Sequence, residues 1–297
     1  MKGRLTKRML VVGVAAVWLT GSINLAQAQS TRADTARSYL ERGINSLAKG
    51  ETERALADFE LAVASDPTLD KAWYNRAVVR YDNGDLAGAI HDLDEAIRLN
   101  PKDALAWIKR GNARAAQEEW DAALSDYNEA LRREPDSVLA VNNRGLVRQQ
   151  RNDYDGALAD YNRALQLDPD NPLILNNRAG IKHDRQDYTG ALRDYDHAIK
   201  LQPDWAAAWC NRGLTRKAMG ELKAALADYD QAIALKPDFA LAYFNRSWVK
   251  RLLGQGSEAK ADYERSLELQ AAEATAVKAK DKIRLFKLAE AEPKPKP

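Results

Sequence analysis

The sequence predicts an all-α solenoid, seven helix-turn-helix units in series closed by a C-terminal capping helix. Three observations carry that expectation. Proline recurs every 34 residues, at Pro67, Pro101, Pro135, Pro169, Pro203 and Pro237. A fixed period of that length marks a stack of small units rather than one globular core. Between the prolines Ala and Leu are abundant and β-branched residues sparse, a composition that suits helices. Turn-forming residues, as in Asn83-Gly84-Asp85 and Gly220-Glu221, divide each unit into two helical segments.

With the proline set at position 32, the units start at Ala36, Asp70, Ala104, Val138, Pro172, Ala206 and Ala240. Position 8 is small throughout: Gly43, Ala77, Gly111, Gly145, Ala179, Gly213 and Ser247. Position 20 is always Ala, from Ala55 to Ala259. Position 24 is bulky (Phe59, Leu93, then Tyr127, Tyr161, Tyr195, Tyr229, Tyr263), and position 4 is usually aromatic (Tyr39, Trp73, Trp107, Trp209, Tyr243). Small residues at 8 and 20 let two helices approach closely while bulky ones at 4 and 24 fill the space around the contact. No unit could bury its apolar face alone, so stability depends on neighbours.

This pattern resembles the tetratricopeptide repeat, over about Ala36 to Ala272. The resemblance implies a right-handed superhelix whose concave face is lined by the first helix of each unit. Positions 7 and 11 depart from the family pattern. Position 7 is Arg in every unit, from Arg42 to Arg246, and position 11 is basic in six. Position 23 is Asp in every unit, from Asp58 to Asp262. Positions 7 and 23 are symmetric about the turn at 15, so the two series are expected to form a ladder of charge-assisted contacts.

Under the same resemblance, positions 2, 5, 6, 9, 12 and 13 face a bound partner. Position 6 is Asn at Asn75, Asn143, Asn177, Asn211 and Asn245. An amide both donates and accepts, so a spaced row could hold the backbone of an extended peptide. It is similar to the asparagine row that some tetratricopeptide repeat proteins use on client peptides; the alternative is that these amides pack between units. Tyr74, Tyr81, Lys109, Asn112, His183 and Trp248 complete the candidate peptide-binding set. The Lys and Asn pattern of a carboxylate clamp is missing.

The ends differ in kind. Residues 1–28 have the layout of a secretory signal peptide: Lys2, Arg4, Lys7 and Arg8, an apolar run from Met9 to Leu19, and Ala26-Gln27-Ala28 as cleavage site. Cleavage after Ala28 would change the formal net charge from +2 to −2 and place the protein in the periplasm or outside the cell. Residues 29–35 are expected as a flexible lead, 36–273 as the repeats, 274–290 as the capping helix and 291–297 as a disordered Pro/Lys tail. Near charge balance gives no reason for nucleic acid as a partner, and no membrane insertion is expected once the signal is removed.

Cys210 is the single cysteine, read as a packing residue. His91, His183 and His197 show no metal-ligand spacing, no nucleophile or phosphate-loop motif occurs, and no cofactor is implied. The expectation is a non-catalytic protein-binding adaptor in the bacterial envelope. The alternative is a structural protein that self-associates through the helical array.

Overall fold

The computed structural model describes residues 30–276, all helix and turn, with no strand among them. The signal-like segment, the tail and most of the expected capping helix lie outside the described residues. The chain divides into two compact units, one up to Ala106 and one from Trp107.

The first unit holds α1 (30–48), α2 (Thr52–Ser65), α3 (Asp70–Asp82) and α4 (Leu86–Leu99). α5 (Ala104–Ala116) begins at the boundary. Then follow α6 (Trp120–Arg133), α7 (Val138–Gln150), α8 (Tyr154–Leu167), α9 (Pro172–Asp184), α10 (Tyr188–Leu201), α11 (Ala206–Ala218), α12 (Leu222–Leu235), α13 (Ala240–Leu252) and α14 (Gly256–Ala276). The first helix of a repeat thus covers positions 1–13 and the second positions 17–30, an all-α helical repeat solenoid.

At the ends the helices run past the expected repeat bounds. Residues 30–35, expected as a flexible lead, are helical and run into α1. At the other end α14 runs unbroken to Ala276, past the last repeat position, and the rest of the expected capping helix lies outside the described residues. No proline stands where the earlier repeats stop: position 32 is Ala271, so the helix keeps its donors and goes on.

Each turn is built alike. Position 15 takes a left-handed backbone in all seven repeats: Gly50, Gly84, Gly220 and Gly254, but also Glu118, Asn152 and Gln186. The next residue caps the second helix where it is Asp, as Asp153 Oδ1 accepts from the Gly156 amide at 3.0 Å. The far end closes with a position-31 amide on the position-27 carbonyl, as Asp168 on Ala164 at 2.8 Å. The proline comes one residue later and cannot extend the helix. Its carbonyl is used too: Trp209 Nε1 donates to Pro203 O at 2.9 Å.

The core lies between the two helices of a repeat and the first helix of the next. In the first unit Phe59, Ala55 and Ala62 pack with Leu40, Ala72 and Val79. In the second, Tyr229, Ala225 and Ala232 pack with Cys210, Ala242 and Val249. The expected small–bulky pairing is present, since a Cβ on Gly213 would lie 2.9 Å from the Tyr229 ring. Burial pushes the Cys210 thiol up to about 11, despite the Asn245 amide that donates to it.

The charge ladder holds the pairs together from outside the apolar contact. Arg178 Nη2 and Nε donate to the two oxygens of Asp194 at 2.7 and 2.8 Å, and Lys182 Nζ reaches the same carboxylate at 2.7 Å. Arg76 and Arg80 do likewise on Asp92. The Asp side chains are buried, so a charge without these partners would be costly. The position-7 Arg also reaches back to the preceding second helix, as Arg178 Nη1 does to Asn162 Oδ1 and Arg212 Nη1 to Asp196 Oδ1. Its planar face lies on the position-4 aromatic ring, with the Arg212 guanidinium carbon 4.6 Å from the Trp209 ring centre.

Candidate functional site

With helices, turns and ladder accounted for, the residues left over lie on the first helices. Positions 5, 9 and 12 are spaced i, i+4, i+7 and share one face of each first helix. In the second unit α9, α11 and α13 lie side by side. Their shared faces carry Asn176, Gly180 and His183; Cys210, Leu214 and Lys217; Phe244, Trp248 and Arg251.

The asparagine row does not line this face as a free set. It bonds successive first helices to one another. Asn211 Nδ2 donates to Asn176 Oδ1 at 3.0 Å, Asn177 Nδ2 to Asn142 Oδ1 at 3.5 Å, and Asn245 Nδ2 to Cys210 Sγ at 3.9 Å. In each case position 6 of one repeat meets position 5 of the repeat before. Asn143 Nδ2 instead reaches Asn112 Oδ1 at 3.0 Å, and Tyr127 Oη donates to the same oxygen at 2.7 Å.

Asn143, Asn245 and Asn112 are therefore corrected as peptide contacts: all three are buried under the neighbouring helices. Asn177 and Asn211 keep partial exposure. In the first unit Asn75 is partly exposed and donates to its own helix, at Lys71 O, while Tyr81 is buried and is also corrected. Tyr74 and Lys109 are half-buried. Asn142, Asn176 and Cys210 are position 5, expected to face a bound partner; only the adjacent amides at 142–143 and 176–177 hinted at pairing between helices.

Two candidates stand clear on the shared face. Trp248 is 44 % exposed, with Arg251 over its ring at 5.6 Å. His183 is half-buried, its Nδ1 3.0 Å from Thr215 Oγ1 and its ring tilted against Tyr188. Burial holds the His183 imidazole below its usual pKa, with Lys217 adding to the effect and Asp184 opposing it. Beyond Trp248 a pocket of about 430 Å³ opens between α13 and α14, lined by Ser247, Trp248, Arg251, Gly256, Ala259, Lys260 and Tyr263.

Among the described residues no three His, Cys, Asp or Glu side chains are grouped to hold a metal ion. Among the same residues no helix is long and apolar enough to cross a membrane.

Tetratricopeptide repeat models match residues 40–104, 74–131 and 108–172, then 179–220, 206–239 and 240–273. The chain belongs to the tetratricopeptide repeat family. Proteins built from this repeat bind protein partners. Among curated proteins none matches this tetratricopeptide repeat chain. Solved structures show the same fold. A tetratricopeptide repeat protein of Parabacteroides merdae is 20 % identical with a TM-score of 0.67, the match covering 87 % of this chain and all of that one. PilF of Pseudomonas aeruginosa is 20 % identical at TM-score 0.63, covering 71 % of this chain and 96 % of that one. YrrB, a tetratricopeptide repeat protein with an unusual peptide-binding site, is 23 % identical at TM-score 0.50, covering 62 % and 95 %.

Proposed function

We propose that this tetratricopeptide repeat protein is a non-catalytic adaptor of the bacterial envelope that docks an extended partner segment on its first-helix face. One observation carries the reading. Scaffold positions 7, 8, 20, 23 and 27 are nearly uniform between repeats and are spent on packing and the ladder. On the shared face, Leu214, Lys217, Phe244, Trp248 and Arg251 differ from repeat to repeat and retain exposure. An exposed, varied face on a rigid frame is what selective binding requires. YrrB, similar in fold, has a peptide-binding site, which supports peptide docking as a use of such an array. The signal-like layout of residues 1–28 supports the envelope location.

Photo-crosslinking in cells tests the docking face. A photoreactive residue at Leu214 or Trp248 is expected to give defined adducts, and one at Arg193, on an exposed second-helix surface, none. Adducts from Arg193 alone would overturn it. A mature N-terminus at Gln29, read by intact mass, is the expected sign of export.

A second reading has its own observation. Leu252, Tyr263 and Leu267 are 61 %, 45 % and 47 % exposed in the last repeat, whereas the position-24 residue is buried in every earlier one. That end could join two copies, and sedimentation would show a dimer dissociated by Leu267→Glu.

A further inference from the structure

Cations on α9, α11 and α13 fall into two groups. Those at positions 7 and 11 are neutralised: Arg212 and Arg216 share Asp228, and Arg246 and Lys250 share Asp262. Those at position 12 are not. Lys217 and Arg251 have no ion-pair partner among the described residues, although each sits one residue from a fully paired neighbour. Position 12 of the preceding repeat is His183, whose contact is the Thr215 hydroxyl on the adjacent helix. The three side chains follow one another at the repeat period along α9, α11 and α13.

The setting adds apolar surface. Leu214 is partly exposed, and Phe244 lies 6.3 Å from Tyr263, ring centre to ring centre. Arg251 and Trp248 form one wall of the pocket at the end of this row, and Lys260, 3.7 Å from Glu264, stands on another. Asp184 is the carboxylate that acts on His183, while Lys217 is pushed down from the usual lysine range by burial, with Cys210 opposing. An ammonium that is half-buried, without a carboxylate and poorly hydrated gains most from an incoming anion.

We propose that the partner segment is acidic: its Asp or Glu side chains pair with Lys217 and Arg251 along the position-12 row, and an aromatic or aliphatic side chain enters the pocket between Trp248 and Tyr263. This deepens the docking reading and rests on it. Charge complementarity across an exposed groove sets partner choice and encounter rate. The apolar anchor in a concave pocket supplies the larger part of the affinity.

Selection of a random library of twelve-residue peptides on the full-length protein tests it. The expected outcome is enrichment of peptides with two or more carboxylates beside one large apolar residue. Their affinity should fall at least tenfold, about 1.4 kcal/mol, in the K217Q/R251Q double variant. It should also fall on raising salt from about 0.05 to about 0.5 M. Glutamine already occupies this position in the fourth repeat, at Gln149, and an unchanged urea midpoint shows that the variant is folded. Enrichment of neutral or basic peptides, or acidic peptides that bind the double variant as tightly as the parent, overturns the acidic partner and leaves the docking reading standing. No enrichment, with or without a dimer in sedimentation, overturns both.

Discussion

Arg144 and Asp160 are joined twice, through Nη2 at 2.6 Å and Nε at 3.1 Å. A third nitrogen, Nη1, reaches Asn128 of the preceding repeat at 2.7 Å, and Arg148 Nη1 donates to Asp160 Oδ2 at 2.8 Å. One guanidinium thus couples a repeat to itself and to its neighbour, and one buried carboxylate is shared by two cations.

That sharing predicts unequal costs. Asp160→Ala leaves two cations facing each other and is expected to cost about 3–5 kcal/mol, whereas Arg144→Ala leaves Asp160 with Arg148 and should cost about 1–3 kcal/mol. Urea unfolding of both singles and the double variant measures the coupling, expected above about 1 kcal/mol. Equal costs with no coupling would count against a shared ladder.

Position 15 makes a backbone prediction. Gln186 sits at φ +65° where Gly220 sits at φ +82° in the equivalent turn. The left-handed region costs a residue with a Cβ about 1 kcal/mol more than glycine. Gln186→Gly should therefore raise the urea midpoint by the equivalent of about 0.5–1 kcal/mol, and Gly220→Ala should lower it by about 1 kcal/mol. A destabilising Gln186→Gly would show that the Gln side chain contributes more than the strain removes.

Cys210 should be inert in the folded protein. With its thiol pushed up to about 11, roughly one molecule in a thousand carries a thiolate at pH 8, and the sulfur is buried as well. Labelling by a thiol-specific reagent is expected to be slow in buffer and fast in denaturant. Rapid stoichiometric labelling of the native protein would contradict the packing role.

Acid should loosen the last repeat through Asp262. Burial opposes its ionisation, but hydrogen bonds from Arg246 and Lys250 outweigh that, and its carboxyl titrates below the usual range. A depressed carboxylate contributes stability above its unfolded pKa, about 3.9, and loses it as pH falls through the folded value. The stability gap between wild type and Asp262→Asn should thus be constant near neutral pH and shrink in acid. A gap unchanged down to about pH 2 would refute the assignment. Asp126 has the opposite sign: burial raises it beyond what Arg110 and Arg114 offset.

The sequence by itself determined the repeat, its phase and the contacts inside one unit. Arg144 and Asp160, or Gly213 and Tyr229, lie sixteen residues apart, and an antiparallel helix pair with a fixed turn brings that separation together whatever the neighbours do. The tertiary structure decided what happens between units. Whether Asn143 faces solvent or Asn112, and whether Asn211 meets a peptide or Asn176, depends on how closely successive first helices lie, which no residue type announces. The same holds for charge. Arg216 and Lys217 are adjacent cations in the sequence, but a helix turns about 100° per residue, so one points to Asp228 and its neighbour to the open face.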